Sequence, residues 1–119
     1  MTSTTKEPEA PKWTREELIL ALELYQSTDR VGVKPGKEAE AVSKTLRSLS
    51  IHDGASDLSK FRSVASVVTQ ANQFAKLHDE ESKLRGKPSK KMEDLWSIYG
   101  HRPEATRTMA AAVRSAFAP

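Results

Sequence analysis

The sequence predicts an all-α fold of about five helices, and three observations carry that expectation. Apolar residues recur at helical spacing in five separate segments of the 119-residue chain. All five glycines and all six prolines fall outside the interiors of those segments, where either residue would cost helix stability. No stretch alternates apolar and polar residues over a useful strand length. The expected arrangement is a helix-turn-helix-like core made by the first three helices and covered by two C-terminal helices.

Thr2 to Pro11 is rich in Thr, Pro, Lys and Glu. Residues 1–12 are therefore expected to form a disordered tail, and residues 13–119 a single helical domain. The first helix begins after Thr14, because Thr14-Arg15-Glu16-Glu17 is a capping box and Trp13 is placed to staple onto Leu18. Leu18, Ala21, Leu22 and Tyr25 follow helical spacing, while Ile19, Leu20 and Leu24 are apolar on other sides. A helix apolar nearly all round belongs in the middle of a fold. The second helix runs from about Lys37 to Leu49, with Ala39, Val42, Leu46 and Leu49 on one side. Asp53-Gly54 marks a turn, and the third helix runs from near Ser63 to near Leu77. Ser89 caps the fourth, whose stripe is Met92, Leu95, Trp96 and Tyr99 and which Gly100 stops. Pro103 opens the fifth, with a stripe of Ala105, Met109, Ala112, Val113, Ala116 and Phe117.

The composition bounds the function. A net charge of +3 permits nucleic-acid binding without demanding it. The absence of cysteine excludes disulfides, thiolate metal sites and cysteine nucleophiles. No apolar run approaches the ~18 residues of a membrane span, so no membrane partner is expected, and the place expected for the chain is the cytoplasm, at the nucleoid. His52, His78 and His101 are far apart, sit in loops or turns and lack metal-ligand spacing. They read as surface residues. The pairs Asp53 with Asp57 and Glu80 with Glu81 have no obvious base or nucleophile beside them, and there is no Gly-rich phosphate loop. The aromatic residues fall with the apolar stripes and read as core rather than as base-stacking groups, except that Trp13 and Phe61 lie at edges. These features predict a binding domain rather than an enzyme, with no catalytic residue, no metal and no cofactor.

The third helix is the most informative element. On a wheel of about 100° per residue, Val64, Val67, Val68, Ala71, Phe74 and Ala75 fill one arc. Ser66, Thr69, Gln70, Gln73 and Lys76 fill the other, with Asn72 at its edge. A solvated helix face is usually rich in Glu and Lys, which favour helix. Hydroxyls and amides are instead the groups that read base edges in a major groove. Such a face can also meet water alone or pack on a partner protein. Lys60 and Arg62 precede the helix and are placed to hold phosphates, as are its first N–H groups. Small residues at Ser63, Ala65 and Ser66 allow close approach.

The segment Trp13-Thr14-Arg15-Glu16-Glu17-Leu18-Ile19-Leu20-Ala21-Leu22, followed by Tyr25, resembles the opening of the helical N-terminal domain of McrA-like HNH restriction endonucleases. Ala41-Val42-Ser43-Lys44-Thr45-Leu46 is similar to that family's next helix. Phe61-Arg62-Ser63, Val67, Gln73-Phe74 and Leu77 resemble its Phe-Arg-Asn element and the valine-bearing helix that ends in Asn-Phe and Leu. Leu95-Trp96 and the Pro103 to Val113 stretch are similar to its tail. Ser63 and Gln73 stand where the family has Asn. The resemblance covers most of residues 13 to 117. It implies a specificity module for modified DNA, such as 5-methylcytosine, belonging to a type IV restriction and phage-defence system. It also implies a tethered nuclease domain in the full-length parent, because this chain has no strands on which to build an HNH site.

Double-stranded DNA, methylated as one option, is thus the expected partner. Ser66, Thr69, Gln70 and Gln73 are expected to face bases, with Ser63 at the helix start and Lys60, Arg62 and Lys76 on phosphates. A methylated base would meet an apolar or small side chain such as Ala65, and a flipped-base pocket is not expected because no concave aromatic cage is visible. The run Arg85-Gly86-Lys87-Pro88-Ser89-Lys90-Lys91 reads either as a minor-groove hook, with Arg85 and Lys87 on phosphates, or as a solvated loop balanced by Asp79, Glu80 and Glu81. The alternatives to DNA reading by a restriction module are a protein-interaction or homodimerisation domain, using Leu20 and Leu24, and a stand-alone helix-turn-helix-like transcriptional regulator.

Overall fold

A computed structural model describes residues 12–28, 32–51, 61–78 and 88–118. Lys60, Arg85 and Lys87, the 1–11 stretch of the tail, and His52 lie outside the described residues. The described chain is all-helical: α1 (Arg15–Gln26), α2 (Lys37–Ser48), α3 (Val64–His78), α4 (Lys90–Tyr99) and α5 (Pro103–Ala116).

Local chemistry sets the helix ends. Thr14 and Glu17 form the capping box, with the Thr14 hydroxyl accepting from the Glu17 N–H and the Glu17 carboxylate accepting from the Thr14 N–H. Ser63 Oγ accepts from the Ser66 N–H at the start of α3, and Ser89 Oγ accepts from the Met92 N–H at the start of α4. Each bond satisfies one of the donors that a helix start leaves without an internal partner. Gly100 follows α4 in right-handed geometry rather than the left-handed form expected of a stopping glycine. Its role is spatial, since an added Cβ would lie 2.6 Å from the Trp96 ring.

α1 is the hub. Leu18, Ile19, Leu20, Ala21, Leu22, Leu24 and Tyr25 are all buried, and α1 packs against each of the other four helices. The burial of Leu20 and Leu24 removes them as a partner surface, because α2 and α5 cover those sides of α1. α2 buries Ala39, Ser43 and Leu46, α3 buries Val67, Ala71 and Phe74, and α4 buries Met92 and Leu95. α5 is rotated from the expected stripe. It buries Thr106, Ala110 and Val113, while Met109, Ala112 and Ala116 are exposed. Thr106 is tolerated inside because its hydroxyl donates to the Arg102 carbonyl at 3.2 Å, which satisfies a buried polar group locally.

One buried ion pair organises the junction of α1 and α3. Arg62 Nε donates to Glu17 Oε2 at 2.6 Å and Arg62 Nη2 to Glu17 Oε1 at 2.8 Å. Both side chains are 1% exposed. The guanidinium carbon lies 4.7 Å from the Trp13 ring centre and 4.5 Å from that of Phe61. Arg62 has φ 47, a left-handed conformation costing a non-glycine residue about 1–2 kcal/mol. Ser43 Oγ donates to the Arg62 carbonyl and Arg47 Nη1 to the Phe61 carbonyl, each at 2.6 Å. The turn into α3 is thus held by side chains from α1 and α2. Glu17→Gln or Arg62→Met alone should lower stability by about 3–5 kcal/mol, because the surviving partner keeps an uncompensated buried polar or charged group. Glu17→Met with Arg62→Met should cost clearly less than the sum of the two single changes. Urea unfolding followed by circular dichroism gives all three values, and strict additivity would contradict the coupling.

Candidate nucleic-acid interface

The outward side of α3 is narrower than the wheel predicts. Ala65 and Thr69 are exposed, and Ser66, Gln70 and Lys76 are half-buried. Gln73 is buried, so it does not face outward as expected. α3 packs against α1, α2 and α4, and Gln73 is enclosed although its wheel position lies among the outward residues. Arg62 is likewise corrected: enclosed by Glu17, Trp13 and Phe61, it holds the fold rather than a phosphate.

The remaining outward residues differ in what they offer. Ser63 is committed to capping, and the Ser66 hydroxyl donates to the Ser63 carbonyl at 2.9 Å, leaving Ser66 only acceptor capacity. Thr69 and Gln70 make no hydrogen bond among the described residues, and Lys76 makes no ion pair there. These three side chains keep their donors and acceptors for an outside group. Thr69 lies four residues from Ala65, one turn away on the same side of the helix.

Asn72, placed by the wheel at the edge of the polar arc, has an internal task. Its Oδ1 accepts from the Val33 N–H at 2.7 Å and its Nδ2 donates to the Val33 carbonyl at 2.9 Å. One amide thereby holds both backbone groups of the chain entering α2. Gly32 adopts φ 102 beside it, and an added Cβ there would lie 3.4 Å from Asn72 Oδ1. α3 is thus fixed at its start by Arg62, in its middle by Asn72, and at its end by the 3.0 Å hydrogen bond between Tyr25 Oη and His78 Nδ1.

Charge gathers at one end of the molecule, where α1, α3 and α4 all begin. Arg62 Nη2 donates to the Lys12 carbonyl, Lys91 Nζ donates to the Trp13 carbonyl at 3.2 Å, and Arg15 pairs with Asp94 at 3.1 Å. These contacts bring exposed Lys12 and Lys91 close to the first turn of α3, while neighbouring Lys90 pairs with Asp94 at 3.3 Å. The positive ends of the three helix dipoles point the same way. Of these groups, Lys12 carries no sequence signal; its place follows from the Arg62 contact.

The histidines depart furthest from the expectation of scattered surface residues. His78 and His101 come together, with ring centres 6.4 Å apart, beside Trp96 and Tyr25. Among the described residues, no helix is long and apolar enough to cross a membrane. Comparison of the chain with protein-family models, curated proteins and solved structures finds no match.

Asn72→Ala should destabilise the fold by roughly 1–3 kcal/mol, because two backbone groups of Val33 lose their partners. Faster hydrogen exchange at the Val33 amide, with little change in the amides of α4, would show that the loss is local. Unchanged exchange there would refute the clamp.

Proposed function

We propose that the chain is a DNA-binding module that reads the major groove with the outward side of α3. The observation that carries this reading is the set Thr69, Gln70 and Lys76. These are polar side chains without internal partners among the described residues, on a helix anchored at its start, middle and end. Anchoring matters because base reading requires donors and acceptors held in fixed positions. Thr69 and Gln70 face base edges, Ser66 accepts, Ala65 offers a methyl contact to a thymine or 5-methylcytosine methyl group, and Lys76 meets a phosphate. Lys12 and Lys91 supply further phosphate contacts beside the start of α3. In this proposal the module serves a modification-dependent restriction endonuclease of the McrA-like type, with the nuclease in a separate domain. The support for that assignment is the resemblance at Trp13 to Leu22 and Phe61 to Leu77.

Fluorescence anisotropy with methylated and unmethylated duplexes over a salt series tests the proposal. Affinity should fall linearly with rising salt on a double-logarithmic plot. Lys76→Ala should weaken all duplexes alike and reduce the salt slope by about one. Thr69→Ala with Gln70→Ala should instead relax discrimination between duplexes, by about 1–3 kcal/mol for each base no longer read. Absence of binding to every duplex at low salt would overturn the proposal.

One observation favours a second reading, association with another copy of the chain. Ala105, Met109, Ala112 and Ala116 recur at intervals of four, three and four along α5; Ala105 is half-buried and the other three are exposed. An antiparallel two-fold pairing of this flank sets Met109 of one copy over Ala112 of the other, and the reverse, which is the self-complementarity such symmetry requires. Light scattering should then detect a dimer that Met109→Lys dissociates. A monomer at all concentrations would dismiss this reading and leave the DNA reading untouched.

A further inference from the structure

We infer that the cleft at the opposite end of the molecule, lined by Tyr25, His78, Trp96 and His101, binds a methylated ammonium group. The cleft has a volume of about 250 Å³. Drug-sized ligands occupy roughly 300–1,000 Å³, so this space suits a single small headgroup.

Ring geometry selects the ligand shape. His78 and Trp96 have centres 5.3 Å apart with planes at 41°, and Trp96 and His101 5.6 Å apart at 67°. His78 and His101 stand at 83°, and Tyr25 and His78 at 89°. These four rings are mutually inclined. Parallel faces would make a slot for a planar base, whereas inclined faces make a box for a rounded group. The ring next to the backbone is held closely, because Gly100 leaves room for Trp96 that no side chain would.

Electrostatics select the charge. α1 ends at Gln26, α3 at His78 and α4 at Tyr99, so the negative ends of three helix dipoles meet at the cleft. The start of α5 at Pro103 and, more distantly, that of α2 oppose them with positive ends. Among the described residues, no Lys or Arg lines the cleft, and neither does Asp or Glu. A primary ammonium or a hydrated ion needs several acceptors; here Gln26 Oε1 has no partner among the described residues but is buried, and the backbone carbonyls are engaged. The Tyr99 carbonyl accepts from Gln26 Nε2 at 2.8 Å, and the Gly100 carbonyl accepts from Gln26 Nε2 at 3.4 Å. Only two histidines are present in the cleft, and no group of three or more metal-ligating side chains occurs among the described residues. A methylated ammonium needs no hydrogen bond and gains its attraction from ring faces. It comes either as a free quaternary ammonium compound or as the side chain of a methylated lysine in a protein.

The test is a titration of the full chain with tetramethylammonium, followed through the indole N–H resonances of Trp96 and Trp13. Trp96 should shift to saturation with a dissociation constant on the order of 1 mM, while Trp13 stays still. tert-Butanol, a neutral group of similar shape, should give no saturating shift. His101 is exposed, so His101→Ala keeps the fold and should weaken binding about fivefold or more, and His101→Phe should restore it. Choline and a trimethyl-lysine peptide then distinguish the two sources, the tighter one identifying the origin. A Trp96 resonance that never saturates, or one that answers tert-butanol equally, would overturn the inference.

Discussion

The buried pair of Glu17 and Arg62 is the interaction on which the rest of the arrangement depends. A buried ion pair is not in itself a stabilising device, since removing two charges from water offsets most of their attraction. What it supplies here is direction. The planar guanidinium meets the carboxylate through two donors, a geometry with little freedom to rotate. Arg62 is the second residue before α3, so its bond to the first turn of α1 fixes where α3 starts. Trp13 and Phe61 close the two sides of the guanidinium and keep water from loosening the pair. The left-handed backbone at Arg62 persists because its carbonyl and the one before it each accept a side-chain donor from α2.

This arrangement explains why some of the molecule was legible in the residues and some was not. The five helices, the capping residues Thr14, Ser63 and Ser89, and the buried hub follow from short-range spacing that any helix obeys. Glu17 was legible only as half of a capping box, because its second task depends on a residue 45 positions away. Arg62 and Gln73 look like surface groups for the same reason. Polar residue types favour exposure, and only tertiary packing reveals the partner that overrides the preference. The rotation of α5 has a different cause. Ala is so small that its position on a wheel weighs little, and Thr106 conceals its polarity by bonding back to its own helix. The pairing of His78 with His101 had no local signal at all, since it arises where α3 ends against the turn between α4 and α5.

Correcting Arg62 and Gln73 concentrates the candidate interface. With both inside, the outward side of α3 retains Ala65, Ser66, Thr69, Gln70 and Lys76. Four of these are uncharged, so they have little to attract DNA from a distance. In the proposed DNA reading, long-range attraction comes from elsewhere, and the lysines near the start of α3 are the described groups best placed to provide it. Affinity and discrimination would then reside in different residues, which is the usual division between phosphate and base contacts.

The two ends of the molecule are electrically distinct, and chain direction is the cause. α1, α3 and α4 begin together at the Arg62 end and finish together at the aromatic cleft. α2 and α5 run the other way, as shown by the bond from the Ser50 N–H to the Phe117 carbonyl just past their last turns and by Glu38 and Pro103 beside the end of α1. Their dipoles oppose part of the field of the other three. At the Arg62 end the field is therefore modest, and in the proposed DNA reading Lys12 and Lys91 contribute most of the attraction for phosphate, since Lys90 is paired with Asp94. At the cleft no formal charge among the described residues lines the walls, so the residual dipoles and the ring faces act unscreened by neighbouring side chains. A fixed negative potential with few free acceptors suits a cation that does not need hydrogen bonds, so the two proposals, phosphate at one end and a methylated ammonium at the other, draw on the same helix directions.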